Sequence, residues 1–124
     1  MKILFIEDEP NLQRVLSRAF EKEGYAVTQA YDGERGLALA HDAKPDLILL
    51  DLILPKKDGF TVLTELKKDP ETKAIPVIVL TNLDRSEDIE RIIGLGALTY
   101  LVKTNYELRD VVQKVKKIME NKKK

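Results

Sequence analysis

The stretches Lys2-Ile3-Leu4-Phe5-Ile6-Glu7-Asp8 and Asp46-Leu47-Ile48-Leu49-Leu50-Asp51 decide the fold. Each is a short apolar run that closes on a carboxylate, the pattern of a strand covered on both faces. If both strands lie parallel in one sheet, Asp8 and Asp51 emerge at the same carboxyl edge, where open α/β sheets place their ligands. A cluster of negative charge there calls for a divalent cation.

Outward from these two runs, strand and helix patterns alternate five times, which argues a parallel sheet with covering helices. Pro10 holds a first-turn position, Leu12, Val15, Leu16, Ala19 and Phe20 recur at three and four residues, and Gly24 ends the helix. A strand over 25–30 leads into a helix over 33–43, and Pro45 breaks the chain before the second carboxylate-ended strand. Pro55-Lys56-Lys57-Asp58-Gly59 is loop chemistry, after which Phe60, Val62, Leu63 and Leu66 supply the buried face of a third helix. Residues 76–81 read as a buried strand, followed by a helix carrying Ile89, Ile92 and Ile93 that frays at Gly94 and Gly96. A last strand spans 99–102. Thr104 and Glu107 have capping-box spacing for the final helix, whose stripe is Leu108, Val111, Val112, Val115 and Ile118. Residues 1–120 are expected to form one domain, with a lysine-rich tail at 121–124.

Composition narrows the function classes. With 21 Lys plus Arg against 21 Asp plus Glu, net charge is zero and provides no general field for nucleic acid or an anionic membrane. The lysines at 114, 116, 117 and 122–124 are read as cations favoured near a helix C-terminus. No Cys is present, which removes disulfides and thiolate chemistry and suits a cytoplasmic setting. The chain opens on a strand without a leader pattern, and no apolar run approaches the ~18 residues of a membrane span.

Right-handed crossovers put the ends of the first, third, fourth and fifth strands along one rim. Glu7, Asp8 and Asp51, Thr81 and Lys103 then gather there. Two bare carboxylates about 4 Å apart repel by roughly 4 kcal/mol at an effective dielectric near 20. Mg²⁺, a hard cation that takes oxygen ligands, would relieve that repulsion, while Lys103 and Thr81 stand ready as donors to phosphoryl oxygens. Singly, an Asp at a strand end is often only a helix cap or turn former, a Thr a cap and a Lys a solvated charge. Their joint placement at strand ends is what points to function. Asp32, Asp46, Asp58 and Asp69 occupy turn or strand-start contexts and read as structural, and His41 reads as a solvated helix-end residue without a metal-binding companion.

In these residues the chain resembles the receiver domain of two-component response regulators, from Lys2 to about Glu120. The resemblance rests on Ile3 through Pro10, on Pro45 through Asp51 with Pro55 and Asp58-Gly59, on Thr81, and on Gly96-Ala97 through Tyr100 to Lys103. It implies a flavodoxin-like (βα)5 sandwich with strand order 2-1-3-4-5, the order known for this family. It implies that Asp51 accepts a phosphoryl group from a histidine kinase or histidine phosphotransfer protein. Asp8, Asp51 and the backbone carbonyl of Ile53 would bind Mg²⁺, with Glu7 reaching it through water. Lys103 would pair with phosphoryl oxygens, and Thr81 would move to donate to them as Tyr100 swings inward. Output would pass through the face of the fourth helix, last strand and last helix (84–95, Tyr100 and 106–117), to a downstream protein or a second copy.

The sequence departs from the family at Thr104, where a cis proline is usual, and at Asn82, where Ala or Gly is usual. A cis peptide before Thr would cost ~3–4 kcal/mol, so a trans loop is expected, with Lys103 differently aimed. Asn82 stands beside the phosphoryl entrance. Ile53 and Leu83 flank the expected path of hydrolytic water and can neither orient nor deprotonate it, which predicts a long-lived aspartyl phosphate. Two other functions compete: a phosphorylation-independent pseudo-receiver scaffold, and a Mg²⁺-dependent aspartyl phosphohydrolase. The second commonly needs another carboxylate two residues after the nucleophile, and Ile53 stands there.

Overall fold

The computed structural model describes residues 1–83, 85–105 and 107–123, and side chains up to Asn121. Five strands, β1 (Lys2–Ile6), β2 (Ala26–Ala30), β3 (Leu47–Leu50), β4 (Val77–Thr81) and β5 (Thr99–Val102), alternate with five helices. These are α1 (Pro10–Lys22), α2 (Gly33–Ala43), α3 (Gly59–Lys68), α4 (Ser86–Gly94) and α5 (Leu108–Lys123). The sheet is parallel throughout, in the order β2-β1-β3-β4-β5. The expected architecture is therefore the observed one.

Successive strand residues point to opposite faces, so continuous apolar runs fill two cores. On one face Leu4, Ile6, Ile48, Leu50, Val77 and Val79 meet Ala40 of α2, Val62, Leu63 and Leu66 of α3, and Ile92 of α4. On the other, Ile3, Phe5, Leu47, Leu49, Ile78, Leu80 and Leu101 meet Leu16 and Phe20 of α1 and Val111, Val112, Val115 and Met119 of α5. Each fully buried side chain of this kind contributes about 1.5–3 kcal/mol.

Register carries the rim. Ile6 pairs with Leu50 across β1 and β3, and Asp51 N donates to Ile6 O at 3.0 Å, so Glu7 and Asp51 leave the sheet side by side. Thr81 pairs with Val102, which places Lys103 one step beyond.

Helix details correct several expectations. In α1 the face toward the sheet holds Gln13, Leu16, Ser17 and Phe20, whereas Val15 is exposed. Ile93 and Leu108 are also exposed, and Met119 completes the buried stripe of α5. The last helix starts later than the Thr104 spacing suggests. Residues Lys103–Asn105 form a 3-10 turn, Glu107 O accepts the first helical bonds from Asp110 N and Val111 N, and Asp110 Oδ2 accepts from Glu107 N at 3.2 Å. The capping contact at this end is therefore the Asp110 carboxylate reaching back to Glu107 N, one half of a capping box. Asp84, Tyr106 and Lys124, assigned above to the output face and the tail, lie outside the described residues.

The aspartates read as structural are so. Asp32 caps α2 through Arg35 N, Asp58 caps α3 through Thr61 N, Asp46 accepts from Lys2 N, and Asp69 accepts from Glu71 N. His41 is not merely solvated. Its Nε2 lies 3.0 Å from Asp69 Oδ2 and its Nδ1 3.1 Å from Glu71 Oε2, tying the end of α2 to the turn after α3.

Candidate functional site

A cleft of about 430 Å³ opens at the carboxyl ends of β1, β3 and β4, lined by Glu7, Asp8, Glu9, Pro10, Asp51, Ile53, Asn82 and Lys103. Carboxylate oxygens of Glu7, Asp8 and Asp51 lie within 4.8 Å of one another. Neither aspartate is a helix cap. Glu9 caps α1, accepting from Asn11 N and Leu12 N at 3.0 and 2.6 Å, and Asp58 caps α3, which leaves Asp8 and Asp51 to the cleft.

The backbone around Asp51 is tightly specified. Its Oδ1 accepts from Leu52 N at 2.8 Å and Ile53 N at 3.4 Å. Gly59 N donates to Leu52 O at 2.8 Å, and a Cβ on Gly59 would overlap Asp51 O and Leu52 Cα. Glycine is thus required where the start of α3 passes beneath the acidic residue.

Charge is distributed unevenly over the acids. Asp8 is exposed, Asp51 is 5% exposed and Glu7 is 1% exposed. Glu7 Oε2 accepts from Glu9 N at 3.1 Å, while Oε1 faces Lys103 Nζ at 2.6 Å. That approach is an ion-pair contact without hydrogen-bond alignment, so Oε1 is a buried oxygen that no aligned donor satisfies among the described residues. Burial pushes the Glu7 carboxyl up to about 7; the Lys103 ammonium opposes this and the Asp51 carboxylate adds to it. Lys103 Nζ also donates to Asp51 Oδ2 at 3.1 Å. Burial lowers the Lys103 pKa, but Glu7 and Asp51 outweigh it and hold the amine above the usual lysine value. All peptide bonds among the described residues are trans, as expected after Lys103, yet the 3-10 turn still sends that ammonium into the cleft.

This all-oxygen donor set fits a hard divalent cation, and among the described residues Glu7, Asp8 and Asp51 are the acidic side chains grouped closely enough to hold one. Thr81 stands farther back. It is fully buried, its Oγ1 accepts from Leu83 N at 3.4 Å, and it does not line the cleft. Asn82 is exposed at the cleft and Ile53 is 61% exposed there. Leu83 and Tyr100 are partly buried and pack against the α2–α3–α4 side of the core.

Comparison with known proteins completes the assignment. The family model described as "Response regulator receiver domain" matches residues 3–116. The chain belongs to the response regulator receiver domain family. This receiver domain is 42% identical over 118 residues to the DNA-binding dual master transcriptional regulator RpaA of Synechocystis sp., covering 95% of this chain and 48% of RpaA. It thus spans about half the length of that relative. It is 40% identical over 102 residues to protein PilH of Pseudomonas aeruginosa, covering 82% of this chain and 84% of PilH. Among solved structures, the Francisella response regulator 1452 receiver domain superposes with a TM-score of 0.88 at 28% identity, covering 99% and 98% of the two chains. The Mn(2+)-bound form of response regulator Rcp1 gives 0.78 at 34% identity, covering 94% and 90%.

Sequence reasoning assembled Glu7, Asp8, Asp51 and Lys103 but missed Gln13, a buried polar side chain beneath Glu7. The signal was present: Gln13 and Ser17 stand one turn apart on the face that also carries Leu16 and Phe20.

Proposed function

We propose that this receiver domain is a phosphorylation-activated signalling switch in which Asp51 takes a phosphoryl group from a histidine kinase or histidine phosphotransfer protein. A carboxylate oxygen of Asp51 would attack phosphorus in line as the phosphorus–nitrogen bond of the donor phosphohistidine breaks. The electron pair of that bond leaves on the imidazole, which takes up a proton, and an acyl phosphate forms on Asp51. The observation that carries this reading is the meeting of the Glu7, Asp8 and Asp51 oxygens within 4.8 Å, with Lys103 Nζ 3.1 Å from Asp51 Oδ2.

Glu7, Asp8, Asp51 and the Ile53 carbonyl would hold Mg²⁺, which when bound offsets charge on the transferring group. The Mn(2+)-bound form of Rcp1 supports a divalent ion in this family. Lys103 would shift its contacts from Glu7 and Asp51 to the phosphoryl oxygens, an electrostatic role that needs no large movement because it already lines the cleft. Thr81 would turn its hydroxyl from the Leu83 amide toward the phosphoryl group, drawing with it the end of β4 and so shifting Leu83 and Tyr100, which both pack on the same side of the core. The output face would then be α4, β5 and α5, where Ile93 of α4 is 46% exposed, and it would bind a downstream protein or a second copy. We assign the receiver to residues 1–120, a cytoplasmic setting and no direct nucleic-acid contact, in keeping with zero net charge. No helix among the described residues is long and apolar enough to cross a membrane. The domain would act only on its own phosphorylation and dephosphorylation.

Intact-mass measurement after treatment with phosphoramidate and Mg²⁺ tests the reading. One added phosphoryl group on the wild type and none on Asp51→Asn is expected. No gain on the wild type would favour a pseudo-receiver scaffold, and turnover of the donor without a retained group would favour a phosphohydrolase.

A further inference from the structure

Gln13 breaks the apolar pattern of α1 and has no part in the transfer just described. It is fully buried, and its Nε2 lies 3.1 Å from Phe5 O, 3.2 Å from Glu7 O and 3.2 Å from Ala30 O. Its Oε1 accepts from Ser17 Oγ at 3.1 Å, and Ser17 is also buried. That serine and the three carbonyls together fix which end of the amide is which.

The position of these carbonyls matters. Ala30 O also accepts from Glu7 N at 2.9 Å, the last rung before the chain leaves β1. Glu7 O belongs to the peptide unit that leads into Asp8. Gln13 therefore anchors that peptide at its oxygen, while the Glu7 side chain holds Glu9 N two residues on. Asp8 lies between these anchors and is itself exposed, so main-chain geometry places its carboxylate. A Leu or Met of similar size would fill the core without desolvating an amide, whereas a buried amide is stable only when its directional bonds are made.

We propose that Gln13 is a positioning residue for the acidic cluster: its buried amide orients the Glu7–Asp8 peptide and so sets the carboxylate spacing that accepts a divalent cation. The inference rests on the cleft being the phosphoacceptor site.

Calorimetric titration of the full chain with Mn²⁺, which takes the same kinds of oxygen ligand as Mg²⁺, tests the proposal. Gln13→Met is expected to weaken Mn²⁺ binding by about 10-fold, the lower end of what lost outer-layer support costs a metal site. Hydrogen exchange at the Asp8 and Glu9 amides should accelerate alongside. Val115→Ala, a core truncation in α5, should lower the melting temperature and leave Mn²⁺ affinity unchanged. Should Gln13→Met fail to fold, Ser17→Ala removes only the hydroxyl that orients the amide and should weaken binding by about threefold. Wild-type affinity in the folded variant, with melting lowered as in Val115→Ala, would overturn the positioning role alone. A wild type that neither binds Mn²⁺ nor takes a phosphoryl group would overturn the cleft reading and the positioning role with it.

Discussion

Lys103 Nζ stands 2.6 Å from Glu7 Oε1 and 3.1 Å from Asp51 Oδ2, so one ammonium bridges the two buried acids. Burial strips this ammonium of hydration and lowers its pKa, but the charges and hydrogen bonds of the two acids outweigh that loss and hold it above the usual lysine value. Removing it would leave two neighbouring carboxylates inside the protein with no cation. Lys103→Met should therefore slow phosphoryl transfer from phosphoramidate by about 10²-fold, in the range found when a transition-state donor is lost. Following the mass gain over time at saturating Mg²⁺ checks this, and an unchanged rate would exclude Lys103 from the transfer.

Glu7 gives the metal-free domain a pH dependence of definite sign. Its carboxyl titrates near 7 in the fold against 4.5 as a free group, so between those values the folded state holds a proton that the unfolded state has released. The Glu7 contribution is fully present below about pH 4.5 and is lost as pH rises through 7, a change on the order of 1–3 kcal/mol. Thermal melts in EDTA should show a falling melting temperature over this window. Glu7→Gln should flatten the curve and raise its alkaline end, and Mg²⁺ should raise that end in the wild type by mass action. Asp51→Asn, which removes the neighbouring charge that raises Glu7, should also stabilise the metal-free domain near neutral pH. A flat wild-type curve in EDTA would show that Glu7 is not held in this way.

Both cores and the four cleft side chains were legible because each depends on period and on position at a strand end, whereas the strand order came only with the family resemblance. Leu47 through Leu50 can be read as a doubly covered strand from apolarity alone, and Asp51 follows by register. What escaped depends on side chains answering to geometry. Gln13 is buried because carbonyls at the end of β1 need a donor, a requirement that no hydropathy pattern records. Thr104 has the spacing of a cap, but the 3-10 turn that directs Lys103 inward consumes residues 103–105, and capping passes to Glu107 and Asp110. His41 looks solvated in the sequence because Asp69 and Glu71 are 28 and 30 positions away and become neighbours only through the packing of α2 on α3.

Gly59 should be irreplaceable for steric reasons. Any Cβ there would overlap the carbonyl of Asp51 and Cα of Leu52, which are backbone atoms that cannot swing away. Gly59→Ala should cost about 1–3 kcal/mol or more, the scale of overpacking a core, and should also displace Asp51 and slow its phosphorylation. Asp58→Ala, one residue earlier, removes the cap bond to Thr61 N and should cost only about 1 kcal/mol with the phosphorylation rate retained. Urea denaturation of the two variants separates them; equal losses would mean that the close approach at Gly59 relaxes.

Phosphate lifetime follows from what borders Asp51. Ile53 lies two residues on, 61% exposed and lining the cleft, with a side chain that can neither align nor deprotonate water. Leu83 holds the equivalent place after Thr81 but is partly buried against the core, so a polar group there would also disturb packing. Ile53 is therefore the cleaner position to alter. Ile53→Asn places an amide over the acyl phosphate and should speed its hydrolysis by about tenfold, below the 10²–10⁴-fold of a fully placed general base. Leu83→Glu should speed it as well while lowering the melting temperature. Intact-mass decay in Mg²⁺ after removal of the donor measures both. The wild-type acyl phosphate should persist well beyond seconds, and its loss within seconds would refute the claim that this rim protects it.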